Sequence, residues 1–165
     1  MQAGRVRFRE TFAPGAIDFL DPQLRQAAPL EASGFAQLTE STMEISIGGH
    51  VSTAMQVACD RCLEPTPFPI DADFKLAYLP ATTAAPEAGE SSIHGADLEI
   101  GFYEGEGIEL SDVLREEILL LLPAKRVCRE ECKGICPVCG QNRNQVECDC
   151  HLKVSDDRWA GLRNL

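Results

Sequence analysis

The sequence predicts an α+β fold: an antiparallel β meander with a packed helix, followed by a small cysteine-rich C-terminal module. Three observations carry this. Two mid-chain stretches, 42–47 and 69–79, alternate apolar and polar residues with the two-residue period of half-buried strands. One later stretch, "LSDVLREEILLLLP", repeats apolar residues at 110, 113, 114, 118, 121 and 122, which is helical spacing. Six of the eight cysteines crowd between Cys128 and Cys150.

Residues 1–34 give one alternating stretch, "RVRFRE", readable as a strand; "DPQLRQAAPL" is turn-rich at both ends and ambiguous between. In "TMEISI", Met43, Ile45 and Ile47 share one face and Thr42, Glu44 and Ser46 the other. "VSTAMQVAC" follows after Gly48, Gly49 and His50. A two-residue loop at 48–49 would set Ile45 opposite Ser52 and Met43 opposite Ala54. A three-residue loop at 48–50 sets Ile47 opposite Val51, Ile45 opposite Thr53 and Met43 opposite Met55. Only the second gathers the apolar side chains, so it predicts a three-residue hairpin with a glycine at positive φ.

The second strand of that hairpin runs into "CDRC" at Cys59–Cys62. A further strand carries Ile70, Ala72, Phe74, Leu76 and Tyr78 on one face. An acidic, Pro- and Gly-containing loop is expected at about 80–96, and a short strand near 98–103. The helix then spans about 111–122, with Ser111 or Asp112 as N-cap and Pro123 ending it. The last stretch, "VSDDRWAGLRNL", reads as a short helix capped by Ser155 and docked by Trp159, Leu162 and Leu165.

Composition narrows the function. No run reaches the roughly 18 apolar residues of a membrane span, and "MQAGRVRFRE" has no apolar signal region. The expectation is a cytoplasmic chain in a reducing compartment, where cysteine pairs bind metal more often than they form disulfides. The formal net charge is −11, which argues against a broad nucleic-acid-binding surface. From Cys128 to Leu165, six basic residues balance six acidic ones, so residues 1–127 carry the whole deficit.

Cys136-Pro137-Val138-Cys139-Gly140 has the spacing of a zinc knuckle: two thiolates two residues apart, then a glycine that lets the chain turn tightly while N–H groups point at sulfur. Cys148 and Cys150 complete a four-thiolate set at little loop-closure cost. That leaves Cys59, Cys62, Cys128 and Cys132 as a second set by subtraction. Two zinc ions are expected, and the C-terminal module is then zinc-ribbon-like. Other assignments stay open on the residues alone. Cys128, Cys132, Cys136 and Cys139 could share one site. His151 could replace Cys150. Cys59 and Cys62 could be a redox dithiol, the metal could be an iron–sulfur cluster, or the thiols could be unpaired and buried.

Sites closed by four cysteines leave no open position for a reacting ligand, and the three histidines are scattered. No nucleophile elbow, P-loop or dinucleotide fingerprint is present. The expectation is a non-enzyme with no small-molecule substrate. Its candidate phosphate or partner contacts are Lys125, Arg126, Arg129, Lys133, Arg143 and Lys153, which cluster in sequence near the cysteines.

The strand ending in "CDRCLEP", the acidic loop, "IELSDVLREEILLLLPAKRVC", "CKGICPVCGQNRN…CDC" and "DDRWAGLRNL", in that order, resemble the YceD family, the large ribosomal RNA subunit accumulation proteins. The resemblance covers about residues 35–165. It implies a β-rich YceD-type domain at 1–132 and a zinc-ribbon module with a short helix at 133–165. It also implies ribosome biogenesis through accumulation or processing of large-subunit (23S) ribosomal RNA, with that RNA or assembly proteins as partners. Members that lack the distal cysteines but keep the early pair and a counterpart of Cys128 and Cys132 imply the two-site partition. The competing readings are an RNA-processing or thiol-redox enzyme and a zinc-ribbon transcription-type adaptor.

Overall fold

The computed structural model describes residues 4–84 and 100–150. The expected C-terminal helix, His151, Lys153 and the acidic loop beyond Ala84 lie outside the described residues. The chain divides into two compact units, Met1–Val57 with Pro67–Ala124, and Ala58–Thr66 with Lys125–Leu165. This differs from the expected boundary at 132/133, and two hydrogen bonds between Asp60 and Arg126 explain why. Asp60 N–H donates to the Arg126 carbonyl at 2.7 Å, and Arg126 N–H donates to Asp60 Oδ2 at 2.7 Å. The "CDRC" turn therefore belongs with the cysteine-rich segment.

The first unit is built on a sheet of six strands: β1 (Arg5–Phe12), β2 (Leu24–Gln26), β3 (Leu30–Thr39), β4 (Glu44–Ala58), β5 (Pro65–Pro80) and β6 (Ile100–Tyr103). Their order is β1-β3-β4-β5-β6, with β2 also paired to β4. The helix α1 spans Leu110–Leu121. Among the described residues the class is thus α+β, with one α-helix. The meander is not antiparallel throughout, because β6 runs parallel to β5. Gly101 on β6 faces Tyr78, and a Cβ there would meet the Tyr78 ring at 2.5 Å.

The expected hairpin at 48–50 is absent. Residues 44–58 form one strand, and neither Gly48 nor Gly49 has positive φ. The turn lies at 40–43 instead, where Thr39 pairs with Glu44. Met43, expected on the core face, sits in that turn at φ 53° and is exposed. The glycines serve a close approach of backbones. Gly34 pairs with Gly49. A Cβ on Gly49 would collide with the Ser33 carbonyl oxygen, and one on Gly34 with the Gly48 oxygen. Ile45, Ile47, Gly49, Val51, Thr53, Met55 and Val57 share one parity of β4, and burial follows it from Val51 to Val57 but not at the glycines, where Gly48 is buried and Gly49 half-buried.

β2 and β3 are both antiparallel to β4, and eight residues from Leu24 to Glu31 face six from Val57 to Ser52. The surplus is a bulge at 27–29, where Ala27 and Ala28 N–H both donate to the Ala54 carbonyl. One face of the sheet shares a core with α1: Leu30, Val51, Met55 and Phe74 join Val113, Leu114 and Ile118. Leu114 and Ile118 are fully buried, each contributing about 1.5–3 kcal/mol. α1 starts one residue earlier than expected, with Glu109 at the N-cap and no side-chain cap bond. Asp112 lies inside the first turn and pairs with Arg115 at 2.9 Å. At the other end Leu122 leaves helical geometry at ψ 137°, as a residue before proline does.

Candidate metal centres

Both cysteine clusters lie in the second unit. Cys59 and Cys62 belong to a tight turn after β4. Cys59 N–H donates to the Glu64 carbonyl at 3.0 Å and Leu63 N–H donates to the Cys59 carbonyl at 2.9 Å. The turn at Cys136 repeats this pattern residue for residue. Cys136 N–H donates to the Gln141 carbonyl at 2.8 Å, and Gly140 N–H to the Cys136 carbonyl at 2.8 Å. The fourth residue after each leading cysteine has positive φ, Leu63 at 62° and Gly140 at 73°. "CDRCL" is therefore a second knuckle, with leucine standing where glycine is the usual residue.

The sulfurs converge in the two expected groups: Cys59, Cys62, Cys128 and Cys132, and Cys136, Cys139, Cys148 and Cys150. Within each group all four lie within 4.8 Å of one another. In the first, Cys59 and Cys132 Sγ are 3.9 Å apart, and Cys62 and Cys128 Sγ 3.8 Å apart. A tetrahedral zinc at about 2.3 Å from each sulfur sets them about 3.8 Å apart. The donor set thus fits a thiophilic divalent ion, and the separations exceed any disulfide.

The electrostatics show why each group suits a cation. Burial alone would push the Cys59 thiol up, but backbone N–H groups of Cys62, Arg61 and Cys128 outweigh it and hold it at about 6. Cys128 N–H reaches Cys59 Sγ at 3.3 Å. Burial, followed by contact with the neighbouring sulfurs, pushes Cys128 up to about 12. In the second group the N–H groups of Cys139 and Val138 bring Cys136 down to about 6. Contact with Cys139, then burial, pushes Cys150 up to about 12. Without a cation, crowded sulfurs keep protons between them; a divalent ion removes that penalty and takes all four as thiolates.

The bonds around the first group involve residues that the cysteine spacing did not reveal. Arg61 Nη1 donates to the Glu130 carbonyl at 2.9 Å and the Cys132 carbonyl at 3.0 Å. Gly134, at φ 71°, lets Ile135 N–H reach the Arg61 carbonyl at 2.8 Å. Asn144 lies in the loop between Cys139 and Cys148. Its Nδ2 donates to Cys132 Sγ at 3.3 Å and to Asn142 Oδ1 at 2.8 Å. Its Oδ1 accepts from Lys133 N–H at 2.9 Å. Asn142 and Gln145 each donate to Glu64 Oε1 at 3.1 Å. The loop of the second group thus reaches back to a sulfur of the first. The polar string "GQNRN" was the available signal.

Of the candidate contact residues, Lys125, Arg129, Lys133 and Arg143 are exposed, and Arg126 is half-buried. Among the described residues no helix is long and apolar enough to cross a membrane.

A family model described as "Large ribosomal RNA subunit accumulation protein YceD" matches residues 47–165. The chain is 27% identical over 142 residues to the chloroplastic "Large ribosomal RNA subunit accumulation protein YCED homolog 1" of Arabidopsis thaliana, covering 74% of this chain and 44% of the relative. Its maize counterpart is 27% identical over 160 residues, covering 84% and 53%. YlbN of Bacillus subtilis, described as uncharacterized, is 24% identical over 159 residues, covering 96% and 86%. The chain thus spans about half the length of the chloroplastic relatives. No solved structure matches.

Proposed function

The chain belongs to the YceD family of large ribosomal RNA subunit accumulation proteins, and from that premise we propose that it is a non-catalytic, zinc-binding factor in the accumulation of 23S ribosomal RNA. The observation that carries this is the pair of closed four-sulfur groups within the matched residues. Each group uses every donor position of a tetrahedral zinc, which is the arrangement of structural rather than catalytic sites. Zinc then folds the second unit; structural zinc in small domains contributes about 10–16 kcal/mol of apparent binding energy to folding. Lys125, Arg129, Lys133 and Arg143 on this unit, with Arg126 and Lys153, are the residues through which it would meet phosphate or an assembly protein. The reading places the protein in the cytoplasm, with ribosome-assembly components as partners.

The test is to quantify 23S RNA and subunit profiles in cells lacking the gene, with rescue by the wild-type chain and by Cys59→Ser. Normal large-subunit RNA in the deleted strain would remove this function. An enzyme reading needs an open metal position or a reactive thiol. Thiol titration of the zinc-loaded protein separates the two, and full protection of all eight cysteines supports the structural role.

A further inference from the structure

The face of the sheet turned from the core in the first unit carries a basic strip within the acidic part of the chain. β1 pairs Arg5, Arg7 and Arg9 with Gln37, Phe35 and Ser33 of β3. Those in turn pair with Ser46, Gly48 and His50 of β4. Paired residues share a face, so these nine positions form one patch. It carries three arginines, one aromatic ring, one histidine and small or amide side chains, and no carboxylate. The core uses the other parity, with Phe8, Phe12, Leu30, Ala32, Ile47 and Val51. All three arginines are exposed, and among the described residues no carboxylate forms an ion pair with any of them.

The ring is held in place. The Arg5 guanidinium sits 3.7 Å from the Phe35 ring centroid. Phe35 Cζ lies 3.4 Å from where a Cβ on Gly48 would be, so the ring occupies the room that glycine leaves. Acidic groups bound the patch: Glu31 and Glu44 lie at its ends along the strands. Asp73 and Asp71 engage His50 at 2.9 and 3.6 Å. Successive arginines on one face of a strand are about 6.7 Å apart, a separation close to that of neighbouring phosphates in an extended single strand.

We propose that this face, at β1 and β3, binds single-stranded RNA. Arg5, Arg7 and Arg9 meet consecutive phosphates, and the Phe35–Arg5 pair offers a stacking surface for a base. Single-strand binders combine these two elements, a basic track and an aromatic platform. An acidic peptide would use the arginines but has no need of the ring. The choice of RNA rests on the ribosomal reading above; the surface itself lies outside the matched residues 47–165 except for Gly48 and His50.

The test uses the full, zinc-loaded chain and a short unstructured RNA labelled for fluorescence anisotropy, titrated over a range of salt. The triple variant R5T/R7T/R9T keeps strand propensity and removes three charges. It is expected to flatten the slope of log K against log salt by about 2, since each phosphate contact on a single strand contributes roughly 0.7. Phe35→Ala is expected to weaken binding by about 5-fold or more with little change of slope. R5K/R7K/R9K should retain the slope, which separates lost charge from a damaged strand. Unchanged slope and affinity in R5T/R7T/R9T overturns the proposal. So does arginine-dependent binding of poly-glutamate without RNA binding, and so does loss of RNA binding only when Lys125, Arg129, Lys133 and Arg143 are replaced. Normal 23S RNA in cells lacking the gene refutes the ribosomal function instead, and the salt slope still decides the face.

Discussion

Asn144→Ala tests how the two cysteine groups are connected. The Asn144 side chain uses both N–H donors, to Cys132 Sγ and Asn142 Oδ1, and its oxygen accepts from Lys133 N–H. Reversing the amide would aim oxygen at a sulfur and at Asn142 Oδ1, and N–H at N–H, so the orientation is fixed. A hydrogen bond to a charged acceptor contributes about 1.5–3 kcal/mol. Loss of an outer-shell partner typically lowers metal affinity 10- to 100-fold, or about 1.4–2.7 kcal/mol, and the two ranges agree. Asn144→Ala should therefore weaken zinc at Cys59, Cys62, Cys128 and Cys132 by about 10- to 100-fold. Zinc at Cys136, Cys139, Cys148 and Cys150 should hold its affinity, because none of these bonds reaches a sulfur of that group. Asn144→Asp should cost more, since it turns an acceptor toward a thiolate. Competition with a chromogenic chelator, followed as two release phases, reads both sites. Equal affinities in wild type and Asn144→Ala, or weakening of the second site alone, would refute the reasoning.

Gly140→Ala and Gly134→Ala both place a side chain at positive φ, which costs about 1–2 kcal/mol. Gly140 has open space around its Cβ position, whereas at Gly134 that atom would lie 2.9 Å from the Arg61 carbonyl oxygen; zinc retention during thermal melting should therefore fall further for Gly134→Ala. Gly49→Ala should lower stability by about 1–3 kcal/mol, because its Cβ collides with the Ser33 carbonyl, while Gly48→Ala meets only ordinary contacts at 3.4 Å and should cost less. Urea midpoints measure the difference, and equal losses would favour a turn at 48–50. The His50 pKa is raised above 6.5, chiefly by its hydrogen bond to Asp73. The charged form is favoured in the folded state, so this contribution is present below pH 6.5 and is lost as pH rises through the higher folded value. An NMR titration should show Asp73→Asn moving His50 back toward 6.5; an unmoved titration would assign the shift elsewhere.

The cysteine groups were the most legible part of the sequence, because loop closure favours short spacings and subtraction leaves one set of four. The knuckle at Cys59 was harder to see: Leu63 occupies a positive-φ position that glycine marks at Gly140. Gly48-Gly49 resembled a turn because paired glycines commonly make one. Parity did not separate the two readings, since a three-residue loop keeps Ile47 and Val51 on one face just as a continuous strand does. β3 could not be recognised from its own residues. "LEASGFAQLT" has small residues at its core positions, Ala32, Gly34 and Ala36, because β4 approaches closely there. The parallel pairing of β6 is a tertiary choice, fitted by Gly101 beneath the Tyr78 ring, and four residues of local pattern do not encode it.

The central claim is that eight cysteines form two closed zinc sites. Native mass spectrometry of the purified full chain, with elemental analysis, measures it directly. The account predicts two zinc ions per chain and no thiol that reacts before zinc is removed. It also predicts that C148S/C150S retains the ion held by Cys59, Cys62, Cys128 and Cys132. A single zinc ion in the wild-type chain, or a freely reactive Cys59–Cys62 pair beside it, would contradict it.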